Sequence, residues 1–548
     1  MNNFVFLQLS SLNKVFLDEN YSALTELKGT KALKGERISY QILYTGGNEW
    51  TNVVKYTVKA DERVKLQVRR VGNVPVTMPV NVEDTDEFYL RKEIGMYPDV
   101  LYPQEGDIVD VKKGICHSLF VTAEIPEDIE AGVYPIKIEF EYKGKKTEKV
   151  FEITVLDEVL PEYEFTYTQW FHSDCIASYY GYEIFSEEHW NMIENFVKKA
   201  VENGINMILT PIFTPPLDTE VGRERPTVQL VDIEFFENKY KFRFDNLQRW
   251  IHLCKRNGIK KFEMAHLFTQ WGTGCTPKIQ AKTKDGMKNI FGWHVKADSE
   301  EYTEFLSNFL PALTDFLKSV GEYENVYFHV SDEPNYETNF ETYKAQRQML
   351  DRFIPSHKII DAMSHYEFCQ AELADKPVVV TSSVDEFVKK GKTDIWAYTC
   401  CVPAGAGYSN RFISMPSGRT RVTGIQLYKY DIDGYLHWGY NFYYSQLSRR
   451  EINPFLDTCA DEAFPAGDAF SVYPGENGAL DSLRSVVFYE GLQDLRACKL
   501  LEKYIGRDSV LEILQGNGEI TWNTYPRTDN GILKLRDEIY DRLETELA

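Results

Sequence analysis

No stretch of this 548-residue chain approaches the roughly 18 consecutive apolar residues that a membrane-spanning helix needs. The first residues, MNNFVFLQLSSLNKVFLDEN, lack a basic segment ahead of their short apolar run. They do not read as a secretory leader, and a cytoplasmic location is the default expectation unless a leader was removed. Cationic charge is also scarce: 61 Lys and Arg face 83 Asp and Glu, a net charge of −22. A surface of that sign repels nucleic acid and anionic membranes, so neither is expected as a partner. Nine cysteines contain no repeated C-x-x-C pair, which argues against a zinc knuckle or a disulfide frame and for reduced, buried thiols. No H-E-x-x-H is present, and His172, His266, His294 and His329 are too widely spaced to form a metal motif in sequence, although they can converge in space. The glycines of CVPAGAGYSN do not form G-x-G-x-x-G between a strand and a helix. No metal and no cofactor is expected.

Aromatic residues are plentiful, at 14% of the chain with 34 Tyr and 9 Trp. Aromatic faces suit the apolar faces of sugar rings, but large β-rich cores use them equally. The length calls for more than one domain. Residues 1–158 read as short strands between turns. VVKYTVKA, KLQVRRV and YPIKIEFEY alternate with period two, which predicts an antiparallel β-sandwich, with DVLYPQEG near residue 99 packing on a neighbouring domain. From residue 159 to 548 the pattern changes to strands alternating with helices. Eight strand candidates run in order: FTYTQ, INMILTPIF, IKKFEMAHLF, VYFHVSDEPN, KIIDAMS, PVVVTSS, DIWAYTC and GYLHWGYNF. That count predicts a (β/α)8 barrel, TIM-like, with chemistry at the C-terminal strand ends and the last helices in its outer ring. DEAFPAGDAFSVYPGENG reads as a loop.

The fourth strand ends in Asp332 and Glu333. A carboxylic acid at a barrel rim can protonate the leaving oxygen of a glycosidic bond, and a second carboxylate usually completes the reaction. The later strand ends offer few. Asp385 and Glu386 lie beyond the sixth strand, and Asp394 is at the wrong end of the seventh. Asp332 is then the simplest second carboxylate. Adjacent strand residues face opposite ways, but a turn at the strand end can bring both into one pocket. From there Asp332 can orient an N-acetyl group whose oxygen attacks the anomeric carbon, while Glu333 serves as acid. A helix-capping Asp332 and an arginine-bound Glu333 are the bland alternative.

HVSDEP (329–334), TGIQLYKYDIDGYLHWGYNFY (423–443) and WFHSDCIASYYG (170–181) together resemble glycoside hydrolase family 123, the β-N-acetylgalactosaminidases, over nearly the whole chain. The resemblance implies a retaining exo-hydrolase of terminal β-linked GalNAc acting through an oxazolinium, with Glu333 as general acid/base and Asp332 orienting the 2-acetamido group. Its partner would be a glycan ending in β-GalNAc. Tyr398 is a candidate hydroxyl donor to the acetamido oxygen, with Trp396 on the same side of its strand. Trp438 is a candidate wall of the sugar site, with Tyr440 beside it. Asp174 and His172 are candidates for sugar hydroxyls, His266 and Trp271 flank the third strand end, and His329 is a candidate support for the carboxylates. Two other readings stay open: a two-carboxylate β-glycosidase for a sugar without an acetamido group, and a non-catalytic glycan-binding barrel. A homo-oligomer, in which the sandwich completes a neighbour's site, is also open.

Overall fold

A computed structural model describes residues 3–162, 164–516 and 518–548. The chain combines an N-terminal β-sheet region with a parallel β/α sheet. The first sheet orders Phe4–Ser10, Arg37–Gly46, His117–Glu124, Lys65–Val76 and Gly95–Pro103. The second orders Gly29–Lys34, Lys145–Val159, Gly132–Tyr142, Thr51–Lys59 and Ile108–Lys112. Alternation explains the burial: in TNVVKYTVK, Asn52, Val54 and Tyr56 are buried and their neighbours exposed. The two sheets share one core, in which Tyr40 stacks on Phe151 at 4.0 Å. One pairing departs from the antiparallel expectation. Gly29–Lys34 runs parallel to Lys145–Val159, because these strands are joined through the rest of the region and not by a hairpin.

The eight strands expected after residue 159 all form: β1 (Thr166–Gln169), β2 (Met207–Thr210), β3 (Lys261–Met264), β4 (Val326–Phe328), β5 (Ala362–Met363), β6 (Val378–Val380), β7 (Trp396–Thr399) and β8 (Gly434–His437). They lie in one parallel sheet in the order β4-β3-β2-β1-β8-β7-β6-β5. Among the described residues, β4 meets the segment that leads into β5 through one parallel bridge, Phe328 to Ile359. Apolar residues such as Met207, Leu209, Val378 and Leu436 fill the inside of the sheet.

Two parts of the fold differ from the sequence reading. Asp232–Phe236, Lys239–Arg243, Ile279–Thr283 and Gly286–Phe291 build a separate four-stranded sheet. Its hairpin signal was the pair Glu237 and Asn238, both at positive φ in a two-residue turn. The stretch expected to be a loop near residue 472 is a hairpin, Val472–Gly475 with Gly478–Asp481. The helix expected after it starts at Leu483, where Ser482 and Ser485 cap its N-terminus reciprocally.

That helix, Leu483–Ile505, and the last one, Asp529–Leu547, do more than cover the parallel sheet. They fasten it to the N-terminal sheets. Arg536 donates to Glu36, and Ser11 donates to Glu490 at 2.6 Å. Asp99, in the segment expected to pack on a neighbour, is the central case. Arg484 Nε and Nη2 reach its carboxylate at 3.0 and 2.9 Å, and Tyr473 donates to it at 2.6 Å, all fully buried. Removing one partner of such a pair strands the other charge. Asp99→Ala is therefore expected to cost about 3–5 kcal/mol. Glu139→Ala, which breaks the exposed pair with Lys146, is expected to cost under about 1 kcal/mol. Denaturant midpoints of the two variants test the contrast, and equal midpoints would contradict it.

Candidate active site

β4 ends at Phe328, and the chain then turns through His329–Asp332 to Glu333, whose φ is 43°. A non-glycine residue rarely takes this left-handed conformation, and its cost is of the order of 1–3 kcal/mol. The turn brings both carboxylates to one cavity of about 240 Å³. Asp218, Gln270, Tyr398, Trp438 and Trp271 also line it. Trp271 and Asp218 are left-handed as well, at φ 57° and 39°. A second cavity of about 250 Å³ lies near Trp293 and Lys278. Its polar groups bond one another, as in Asn289 to Glu224 at 2.7 Å, and it holds neither Asp332 nor Glu333.

Each carboxylate has one oxygen fixed and one free of hydrogen bonds among the described residues. The Tyr398 hydroxyl donates to Glu333 Oε1 at 2.6 Å, and Gln270 Nε2 donates to Asp332 Oδ2 at 3.0 Å. The Gln270 amide cannot flip without cost, because its Oε1 accepts the backbone N–H of Asp218. Burial pushes the Asp332 carboxyl well above the usual range, and the Glu333 charge adds to this. His329 and the Gln270 bond act in the opposite direction. Burial also raises Glu333, against the Tyr398 bond. Adjacent buried carboxyls titrate as a pair, and the charge on one makes the other harder to ionise.

Beneath them is a buried polar chain. His329 Nε2 lies 3.0 Å from Glu263 Oε2, and its Nδ1 lies 3.4 Å from Asp361 Oδ1. Burial lowers an imidazole pKa, but Asp361 and Glu263 outweigh it and push His329 up to about 9. The result is an imidazolium under the acid pair. Glu263 also accepts from Thr168 and, at 3.3 Å, from Trp170 Nε1. Tyr343 donates to Asp361 at 2.7 Å. His266, His329 and Asp361 offer donor atoms within 4.8 Å of one another. All three are buried, and His329 is already engaged by Glu263 and Asp361.

The other residues singled out from sequence divide clearly. Trp438 lines the cavity, and its indole Nε1 donates to Asp468 Oδ2 at 2.9 Å. Burial pushes Asp468 up to about 7. Trp271, half exposed, stands at the cavity rim, and its backbone N–H donates to the Asp332 carbonyl at 3.1 Å. Tyr398 is in the cavity, with its hydroxyl committed to Glu333. Trp396 shares its side of β7 but lies in the inner apolar core, away from the cavity. Tyr440 is buried the other way and donates to the Phe196 carbonyl at 3.0 Å.

His172 and Asp174 do not face the cavity. Asp174 begins helix Ser173–Tyr180 and takes a bidentate pair from Arg225, at 2.8 and 2.7 Å. Arg225 Nη2 also lies 3.1 Å from His172 Nδ1, and His172 Nε2 lies 3.1 Å from the Trp438 carbonyl. Burial and the Arg225 charge push His172 down to about 3. The neutral ring accepts from Arg225 and donates to Trp438, so these residues hold the tryptophan's backbone. His266 lies stacked on His329, with ring centroids 4.2 Å apart, and has no hydrogen bond. Gln270, Asp218, Trp170 and Asp468 were not found from sequence. Gln270 stands beside Trp271, and nothing local marks the others. Five cysteines are buried as expected, but Cys400 and Cys401 line the cavity.

Two carboxyls on the rim of a parallel β/α sheet, with an aromatic wall beside them, are an arrangement that suits glycoside hydrolysis. The sequence profile described as "Glycoside hydrolase 123, catalytic domain" matches residues 170–501, more than half of the chain, and the protein belongs to that family. A family 123 glycoside hydrolase from Clostridium perfringens, studied for glycolipid glycan hydrolysis, superposes with a TM-score of 0.75. It is 16% identical, over 99% of this chain and 98% of that one. A β-glucuronidase from Bacteroides uniformis is 11% identical over 85% of this chain and 50% of that one, with a TM-score of 0.29, too low to inform the site. Among curated proteins none matches the sequence. Among the described residues no helix is long and apolar enough to cross a membrane.

Proposed function

We propose that the protein is a retaining exo-β-N-acetylgalactosaminidase that removes terminal β-linked GalNAc by substrate-assisted catalysis. The supporting observation is the division of labour between the two carboxyls, each with one oxygen pinned and one free. In this reading the substrate decides where the pair's proton sits: burial favours a neutral Asp332, but the acetamido N–H, with Gln270 and His329, draws the charge onto its free oxygen. The proton is then on the free Glu333 oxygen and goes to the glycosidic oxygen as the bond breaks. The contact with Asp332 aligns the acetamido oxygen for attack on C1 and stabilises the positive oxazolinium. Glu333, now ionised, takes a proton from water. The water attacks C1, opens the ring and leaves the anomeric configuration unchanged. The same reading takes the curled sheet as a closed (β/α)8 barrel and divides the chain at 158/159. The relative's glycolipid glycans suggest a glycan of that type as substrate.

The two-carboxylate alternative keeps one observation in its favour, since Asp218 puts a third carboxylate in the cavity. Aryl β-glycosides decide between them. Turnover of the GalNAc compound, far slower turnover of the β-galactoside, and competitive inhibition by GalNAc-thiazoline are expected. A β-galactoside cleaved at a comparable rate would sink the substrate-assisted mechanism. Faster turnover of the GlcNAc compound would sink the galacto preference.

A further inference from the structure

Asp218 lines the cavity with Asp332 and Glu333, yet the mechanism gives it no task. Its surroundings fit a ligand contact. The residue is only 6% exposed. Its Oδ2 accepts the Leu447 N–H at 2.9 Å, whereas Oδ1 has no hydrogen bond among the described residues. Oδ1 is not among the buried atoms that lack a partner, so it opens to the cavity, where water or a ligand must supply its donor. The backbone around it is fixed. Ser448 Oγ donates to the Asp218 carbonyl at 2.7 Å, Glu220 N–H donates to the Leu447 carbonyl at 2.9 Å, and Asp218 N–H holds Gln270. The left-handed φ of 39° at Asp218 and 59° at Leu447 shows that both loops are held in strained conformations at this contact. Burial pushes the carboxyl up to about 6, while the Leu447 bond and the Arg225 and Arg449 charges pull the other way. It is therefore mostly ionised at neutral pH and a strong acceptor.

We infer that Asp218 accepts a hydroxyl of the bound sugar through Oδ1 and so sets which sugar the cavity takes. This rests on the functional reading above, and it makes Asp218 a specificity residue instead of a nucleophile. The same residue links the sugar to Asp332 through its backbone, because the Asp218 N–H fixes Gln270, which donates to Asp332.

The test pairs Asp218→Asn with the 3-, 4- and 6-deoxy forms of aryl β-GalNAc. Asparagine's carbonyl oxygen still accepts from Leu447, so the loops stay clasped, but the negative acceptor is gone. Asp218→Asn is expected to lower kcat/KM on the parent by about 10- to 100-fold, the scale of a hydrogen bond to a charge. One deoxy analogue, penalised in wild type, is expected to lose its penalty in the variant. A purely structural role would lower all substrates alike and leave every deoxy penalty unchanged, and that result overturns the proposal. So does a change below about twofold. Formation of an α-glycosyl azide by Asp218→Ala in azide also overturns it, since that product marks a missing nucleophile. Binding of free GalNAc, GlcNAc and galactose, followed by tryptophan fluorescence, separates the two levels of inference. Asp218-dependent binding without GalNAc hydrolysis sinks the functional reading alone. Hydrolysis and binding that both ignore Asp218 sink this proposal alone, and no binding with no hydrolysis sinks both.

Discussion

Glu333→Gln is expected to lower kcat on a GalNAc glycoside with an alkyl leaving group by about 10²- to 10⁴-fold, the usual range for a positioned general acid. The amide is isosteric, and its oxygen still accepts from Tyr398, so the pocket keeps its shape. What it loses is the proton for the departing oxygen and the base for water. A 2,4-dinitrophenyl leaving group needs no proton, so its first step should be spared and a burst should precede slow hydrolysis of the oxazolinium. The pH profile gives a second check. The active form of the pair holds one proton. Activity should fall as pH rises and Glu333 ionises, and fall again as pH drops and Asp332 is protonated, giving a bell whose limbs belong to the pair. In Glu333→Gln the high-pH limb should disappear. An unchanged kcat would show that some other group protonates the leaving oxygen, and no turnover by wild type would leave only a glycan-binding protein.

Asp332→Asn should be nearly as damaging, about 10²- to 10³-fold in kcat, the loss seen when one preorganised electrostatic contact is removed. The acetamido N–H would meet an amide that lacks charge, and the oxazolinium would lose its counterion. GalNAc-thiazoline should bind more weakly by a similar factor, because it resembles the intermediate. Stability should move the other way. Burial raises the folded pKa of Asp332, with Glu333 adding to it. For an acid so shifted, the unfolded chain ionises first as pH rises. Stability is full below the unfolded pKa and is lost between there and the folded value. Asn removes that loss, so Asp332→Asn should melt at a higher temperature than wild type at neutral pH and at the same temperature in acid. A variant that loses activity and also melts lower would point to misfolding instead of lost chemistry.

The eight strands were legible because each is a short apolar run bounded by its own turns, and burial on both faces requires that composition. The acid pair was legible as adjacent carboxylates at one strand end. The hairpin Val472–Gly475 with Gly478–Asp481 was not, because its Pro and Gly content reads as a loop, and it is packing against helix Glu187–Glu202 and strand Gly95–Pro103 that makes it a strand pair. Tyr440 and Trp396 alternate correctly along their segments, but alternation does not say whether a ring ends at the rim or in the core. His172 and Asp174 were read as open to sugar because their partner, Arg225, lies 51 residues beyond Asp174 in the chain.

Local order was therefore the sequence's own contribution: two kinds of sheet, their succession, and two adjacent carboxyls at one strand end. The tertiary structure alone decided which groups meet. Gln270 with Asp332, Tyr398 with Glu333, His329 between Glu263 and Asp361, and Asp218 beneath Leu447 all join separate turns of the sheet. The reason is physical. Backbone periodicity acts over a few residues, whereas a carboxyl's charge state depends on what surrounds it after distant segments have closed water out.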